Sequence, residues 1–248
     1  MSTFAQITQA YYSAWLGVED LRRLDGIVYR YPPERNVRQE GYPHRFDLYL
    51  WIQTGRIVVS YGDSAAPFLP SLQVKWGAAP SVAQLTGTLT DVLSIQPMHS
   101  IKYCFTGLPT NQSDAKTLGH DNFESYRVFF AARHPNAGNL DWLPQYFESL
   151  VRSHCCVGVF QQGTLVSCTD APGMPYLADQ VQEIGINTLP EHRGRGYGTA
   201  ACIACARNIL AAGKVPLWST GMDNVASQKT AERVGFVKLA DVLTVTLG

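Results

Sequence analysis

Apolar residues recur at three- and four-residue spacings at the start of the chain: Phe4, Ile7, Tyr11, Ala14/Trp15, Val18 and Leu21. That period predicts an amphipathic helix over residues 3–24, opened by a Thr3/Gln6 capping box and closed by Gly26. A polar tract rich in Pro, Arg and Tyr follows from Tyr29 to Arg45; it could reach a substrate or a cofactor phosphate, but loops of that composition are ordinarily just solvated. The period then changes to two. Phe46–Ile52 and Arg56–Tyr61 are β-branched and aromatic runs joined through Gln53-Thr54-Gly55, which predicts a hairpin. The stretch from Gly107 to Asn122 is the richest in turn and polar residues and reads as a linker. It divides the chain into an N-terminal α/β region, 1–120, and a second unit, 121–248.

In the second unit the pattern predicts a strand (Tyr126–Ala131), a helix opened by Asp141 with Pro144 in its first turn, and a hairpin of Cys155–Phe160 and Leu165–Thr169. A strand from Val181 to Leu189 stops at Pro190. A helix from Gly198 to Ala212 ends at Gly213, and a strand (Pro216–Thr220) and a helix (Val225–Val234, closed by Gly235) follow. Two β runs, Val237–Leu239 and Val242–Leu247, finish the chain. This alternation specifies a mixed sheet covered by helices. Gln53–Val58 echoes Gln161–Val166 in similar hairpin contexts, so a tandem duplication with a degenerate first copy stays open beside independent hairpins.

Composition narrows the function classes. The 248 residues carry 20 basic and 20 acidic side chains, split ten to eleven in residues 1–124 and ten to nine thereafter, so no polybasic face for nucleic acid is expected. Charged residues make up 16%, a low share that favours extra buried surface such as a homodimer interface. Apolar runs are too short for a membrane span and the first residues lack a leader pattern, which predicts a cytoplasmic protein. The six Cys show no disulfide rhythm, and Cys202-Ile-Ala-Cys205 in its apolar setting reads as buried structure. No His spacing suits a metal, and none is expected. Trp51, Trp76, Trp142 and the Tyr11-Tyr12 pair read as core.

The segment richest in chemistry is Pro190-Glu191-His192-Arg193-Gly194-Arg195-Gly196-Tyr197-Gly198-Thr199, set between a predicted strand and helix. Its glycines allow close backbone approach, the helix start offers unpaired N–H groups, and Arg193 and Arg195 suit phosphate oxygens. The bland alternative is a glycine-rich surface turn. A dinucleotide fold is a further one, since Gly196-x-Gly198-x-x-Ala201 fits its fingerprint, but Pro216–Thr220 lacks the acid that fold needs.

These residues resemble motif A of the GNAT superfamily of acyl-CoA-dependent N-acyltransferases, with Arg193, Gly196 and Gly198 on its Q/R-x-x-G-x-G/A pattern. Asn224, Ser227, Gly235 and Phe236 are similar to that family's following Asn, helix and Gly-Phe pattern. The resemblance covers about residues 123–248. It implies a mixed, mostly antiparallel central sheet with helices on both faces, and an acetyl-CoA cosubstrate. By the same resemblance, the pyrophosphate rests on amides from Gly194 to Thr199, including those of Arg195 and Tyr197. The pantetheine arm pairs with backbone at Ile186, Asn187 and Thr188, and Asn224 and Ser227 line the cofactor side. Many members carry a Tyr seven residues after the Asn that protonates the departing thiolate. Here that position is Ala231, leaving Tyr197, Tyr176, Ser219 or water.

Aminolysis of a thioester needs a neutral amine, and an alkylamine titrates near ~10, so a base helps. Glu183 shares a face with Gly185 and Asn187 by strand alternation and is the candidate, against a paired or solvent-facing carboxylate. Backbone N–H near Asn187 or Thr188 could polarise the carbonyl. The expected activity is acetyl transfer from acetyl-CoA to a primary amine of a small molecule or peptide by direct attack in a ternary complex. The alternatives are a non-catalytic acyl-CoA-binding or regulatory module and another kind of nucleotide-binding domain.

Overall fold

The computed structural model describes residues 3–110 and 113–247. Asn111 and Gln112 of the expected linker lie outside the described residues. The first helix, α1 (Thr3–Leu16), is shorter than its periodicity suggests. Gly17 turns left-handed at φ 69°, with Val18 N bonded to Ser13 O and Gly17 N to Ala14 O, the paired bonds of a Schellman stop. Val18 and Leu21 extend the apolar pattern because the chain beyond the helix stays on the same buried surface.

The chain continues through β1 (Gly26–Arg30), β2 (Leu48–Gln53), β3 (Arg56–Tyr61), α2 (Leu69–Trp76), α3 (Val82–Leu93) and β4 (Met98–Phe105). The β2–β3 hairpin stands where expected, with Gln53 opposite Arg56. Helices α2 and α3 were not anticipated; α3 opens on a Ser81/Gln84 capping box and buries Leu85 and Leu89. After β5 (Lys116–Thr117) comes α4 (Phe123–Arg133), where a strand was expected. The aromatic run there favours strand, but Tyr126 and Phe129, one helical turn apart, go inside, while Arg127 pairs with Glu124 outside.

Helix α5 (Leu143–Arg152) precedes the hairpin β6 (Val157–Gln161) and β7 (Thr164–Asp170). The single strand expected over Val181–Leu189 is two, β8 (Val181–Glu183) and β9 (Gly185–Thr188), separated at Ile184. Then come α6 (Tyr197–Ala211), β10 (Val215–Gly221), α7 (Val225–Val234) and β11 (Phe236–Val245). The two β runs expected at the end are one strand with a bulge between Lys238 and Ala240, which lets it keep pairing with β4.

The larger sheet runs β1-β3-β2-β11-β4-β10-β8 and the smaller β5-β6-β7-β9. Among the described residues β1–β3 and β10–β8 pair in parallel and the remaining pairs are antiparallel. Strand β4 lies between β10 and β11, and the far end of β11 pairs with β2, so one sheet is built from both parts of the chain. Helix α1 covers one face, packing with Trp51, Val58, Leu217 and Val242. On the other face α6 and α7 pack over Trp218 and Phe236, and α2 and α3 over Leu50 and Val59. Helices α4 and α5 cover the small sheet. All six cysteines are buried and unbridged. Of the aromatics read as core, Trp142 is the exception at 47% exposed. Among the described residues no helix is long and apolar enough to cross a membrane.

Candidate active site

Strand β8 follows β10 in parallel as far as Glu183 opposite Leu217, and Ile184 N still bonds Leu217 O at 3.1 Å. There the chain changes sheets. Strand β9 pairs with β7, placing Gly185 opposite Asp170 and Thr188 opposite Ser167, while β10 runs on to Gly221 beside β4 alone. Two edges thus diverge from Ile184 and leave a wedge with unpaired backbone on the β9 side.

The sequence after β9 closes one end of this wedge. Pro190–His192 form a short 3-10 turn, and Gly194 and Gly196 take φ of 75° and 83°. A Cβ at either glycine would meet nothing within 4 Å, so no protein neighbour excludes a side chain. The demand comes from the left-handed backbone and from the open space beside it, where a ligand can touch the main chain. Gly196 is the N-cap of α6 and no side chain caps that end. The first helical bond is Ala200 N to Gly196 O, so the N–H groups of Tyr197, Gly198 and Thr199 precede any intrahelical acceptor. Gly198 is different: its Cβ would sit 3.3 Å from Thr188 Oγ1, so α6 begins in close contact with β9.

These pieces line a cleft of about 500 Å³. It brings together Ile186, Asn187, Thr188, Arg193, Gly194, Gly196, Tyr197, Gly198, Thr199, Asn224 and Ser227. Arg195 is exposed, and neither it nor Glu183 is part of this wall. Asn224 and Ser227 also have structural work: Asn224 Oδ1 caps α7 by accepting from Ser227 N at 3.1 Å, and Ser227 Oγ accepts from Trp218 Nε1 at 3.2 Å.

Sequence reasoning missed the wall's other contributors. Arg133 comes from α4, the segment expected to be a strand, and Lys229 and Arg233 come from α7. With Arg193 they give the cleft four permanent cations and no carboxylate among its lining residues, in a chain of zero net charge. Arg133 Nη2 donates to Asn187 Oδ1 at 3.3 Å and its buried Nε has no partner. A periodicity of four from Lys229 to Arg233 was the available signal for the α7 pair.

Glu183 lies on the opposite side of the large sheet from α6 and α7. The sheet change at Ile184 breaks the alternation that would have set it beside Gly185 and Asn187. Its carboxylate accepts a hydrogen bond from the Ser219 hydroxyl on β10, and Ser219 in turn stands opposite buried Lys102 on β4. Burial pushes the Lys102 amine down, and the charge of Glu183 opposes that shift. A second carboxylate, Asp170, rests against Gly185, where any Cβ would collide with its Oδ1. Burial first, and then the charge of Glu183, push the Asp170 carboxyl up to about 6. Asp170 faces a small pocket with Tyr126, Phe130, Arg133 and Asn187. Two carboxylates therefore flank the point where the chain changes sheets. Ala231 is fully buried on α7 and offers no proton.

Residues 157–241 match the family model described as GNAT acetyltransferase. No curated protein matches the chain in sequence. Among solved structures, an acetyltransferase of the GNAT family from Colwellia psychrerythraea is similar at 22% identity and a TM-score of 0.50, covering 59% of this chain and 55% of that one. A GCN5-related N-acetyltransferase from Sphaerobacter thermophilus is similar at 12% identity and a TM-score of 0.50, covering 67% of this chain and 56% of that one. The likeness thus spans a little more than half the length of these two relatives, and it is a likeness of fold. Residues 157–241 are thus similar in sequence to the GNAT acetyltransferase family, and the chain shares the fold of these structures.

Proposed function

We propose that the protein transfers an acetyl group from acetyl-CoA to a primary amine of a small molecule or peptide, by direct attack in a ternary complex. The observation that carries this reading is the cationic, acid-free cleft closed by an uncapped helix start. Backbone N–H groups from Gly194 to Thr199 suit a pyrophosphate, and Arg133, Arg193, Lys229 and Arg233 suit the remaining phosphate charge. The exposed edge at Ile186, Asn187 and Thr188 suits an amide-bearing arm such as pantetheine, which pairs as a strand would. That arm would bring the thioester to Ile184, between the carboxylates of Glu183 and Asp170.

Glu183 is the proposed base. Ser219 donates to it, which fixes its orientation and leaves its second oxygen for the amine or for a relaying water. Asp170, pushed up to about 6, is ionised at neutral pH and would hold the incoming ammonium before it loses its proton. An alkyl thiol titrates near ~8.5, so the thiolate leaves with little help and solvent in the open cleft can protonate it despite Ala231. Residues 1–120 would close the acceptor side, since α1 packs on the sheet face that carries Glu183. A second reading, acyl-CoA binding without transfer, is favoured by the buried Ala231 alone.

The test is thiol release from acetyl-CoA with a panel of amines. Turnover in the wild type, with a fall of about 10²-fold or more in Glu183→Gln, supports transfer. Acetyl-CoA binding with no thiol released by any amine supports the binding module.

A further inference from the structure

Arg35 belongs to the polar tract expected to be solvated, yet it is 1% exposed. Its guanidinium lies 4.8 Å over the ring of Trp15 and 5.4 Å from that of Tyr49, and Nη2 donates to Trp15 O at 2.6 Å. No ion pair among the described residues involves it. Burial pushes the Arg35 guanidinium down, and the carboxylate that opposes this is its exposed neighbour Glu34. Two buried N–H donors of the cluster, Arg35 Nε and Trp15 Nε1, have no acceptor among the described residues, and the Tyr176 hydroxyl lies within hydrogen-bond reach of the Arg35 guanidinium. A buried charge without a counter-charge is costly, and so is each unspent donor. Stability alone does not explain why a guanidinium, rather than an apolar side chain, fills this box.

We propose that Arg35 is a carboxylate-binding residue of the acceptor site, so that the acceptor is an amine that also bears a carboxylate, of the amino-acid class. The planar guanidinium fork matches a carboxylate, and the indole N–H and tyrosine hydroxyl add two further donors. Tyr42 and Tyr49 feel the charges of both Arg35 and Glu183, so the cation and the proposed base border one aromatic cluster. The spacing of amine and carboxylate in one small molecule can bridge such a cluster. Tyr42 and Tyr176 are the half-buried rings beside Trp15, at 5.2 and 5.8 Å, and are the ones an entering ligand would part. This inference rests on the transferase reading for its amine, but the carboxylate site stands or falls separately.

The experiment titrates common α-amino acids and their α-amides into the full chain with CoA present, and then measures thiol release from acetyl-CoA with the same compounds. Wild type, Arg35→Lys and Arg35→Met are compared. The expected result is that at least one acid binds about a hundredfold tighter than its amide in the wild type. Arg35→Lys loses most of that preference and Arg35→Met all of it, while CoA binding is unchanged in both. Arg35→Met without ligand should melt above the wild type, because it removes an uncompensated buried charge; a merely structural arginine would melt lower when replaced. Acid preference without thiol release keeps the Arg35 site and overturns the transferase reading. Equal release with acids and amides, in wild type and Arg35→Met alike, keeps the transferase and overturns the Arg35 site. If Arg35→Met does not fold, Arg35→Lys with full acid preference also overturns it.

Discussion

The two sides of the sheet change at Ile184 are built on opposite terms. On the α6–α7 side the cleft is open, its cations come from Arg133, Arg193, Lys229 and Arg233, and its most distinctive groups are backbone amides in a turn held by Gly194 and Gly196. On the α1 side Arg35 and Lys102 are buried and Glu183 is half-buried, its charge felt by Tyr11, Tyr12, Tyr42 and Tyr49. An open site of exposed cations tolerates many phosphate-bearing ligands. A closed site of buried charges is specific, because each charge left unmatched is costly. The difference teaches where selectivity is expected: a general cosubstrate on the first side, a chosen acceptor on the second.

The sharpest way to break the comparison is Gly196→Glu. Its side chain would occupy open space, so the fold should lose only the ~1 kcal/mol of a left-handed residue. It would, however, set a carboxylate where the phosphates are expected. Acetyl-CoA affinity measured by calorimetry should fall by about three powers of ten, roughly 4 kcal/mol, with the thermal midpoint nearly unchanged. Binding that survives this change would move the cosubstrate out of the cleft altogether.

That turn is also the part of the site most legible in the sequence. A glycine turn between strand and helix is a local feature, so Arg193 to Thr199 can be read from order along the chain, as can the Asn224 cap of α7. The sheet change is not legible, because Val181–Leu189 is one continuous β run and only its neighbours, β10 on one side and β7 on the other, decide where it divides. Arg133 escapes because the aromatics of α4 imitate a strand. Asp170 ends an ordinary hairpin strand, and its role depends on Gly185 opposite. The Tyr29–Arg45 loop could be marked as one able to reach a substrate, but Arg35 could not be told apart within it, since burial of one arginine in a polar tract follows from packing against Trp15, twenty residues away.

Next in size is Asp170→Asn, which probes the buried side through pH. The Asp170 carboxyl is held at about 6 in the folded chain, against 3.8 as its ordinary value. The folded state therefore binds this proton more tightly than the unfolded chain does. Stability is greatest below about 4, falls as pH rises from about 4 to about 6, and stays reduced above that range. Two units correspond to about 3 kcal/mol as an upper figure. The substitution should remove that slope and raise urea resistance at pH 8, at a cost in amine binding if Asp170 holds the ammonium. An unchanged slope would mean that the carboxylate is already satisfied when ionised.

The smallest effects belong to Lys229 and Arg233, and they sharpen the comparison because they are exposed where Arg35 is buried. Each stands on α7 within one turn of the other and faces the cleft, with solvent around it. Exposed pairs are worth little, so Lys229→Ala and Arg233→Ala should each weaken acetyl-CoA binding by about two- to fivefold at low salt. Raising ionic strength toward 0.5 M should shrink even that, since screening acts within a few ångströms there. Thermal midpoints should not move, as neither side chain takes part in the core. A salt-insensitive loss of a hundredfold from either substitution would mean that the cleft closes over its ligand. The cosubstrate side would then be as desolvated as the acceptor side, and the contrast between the two would have to be drawn from geometry instead of burial.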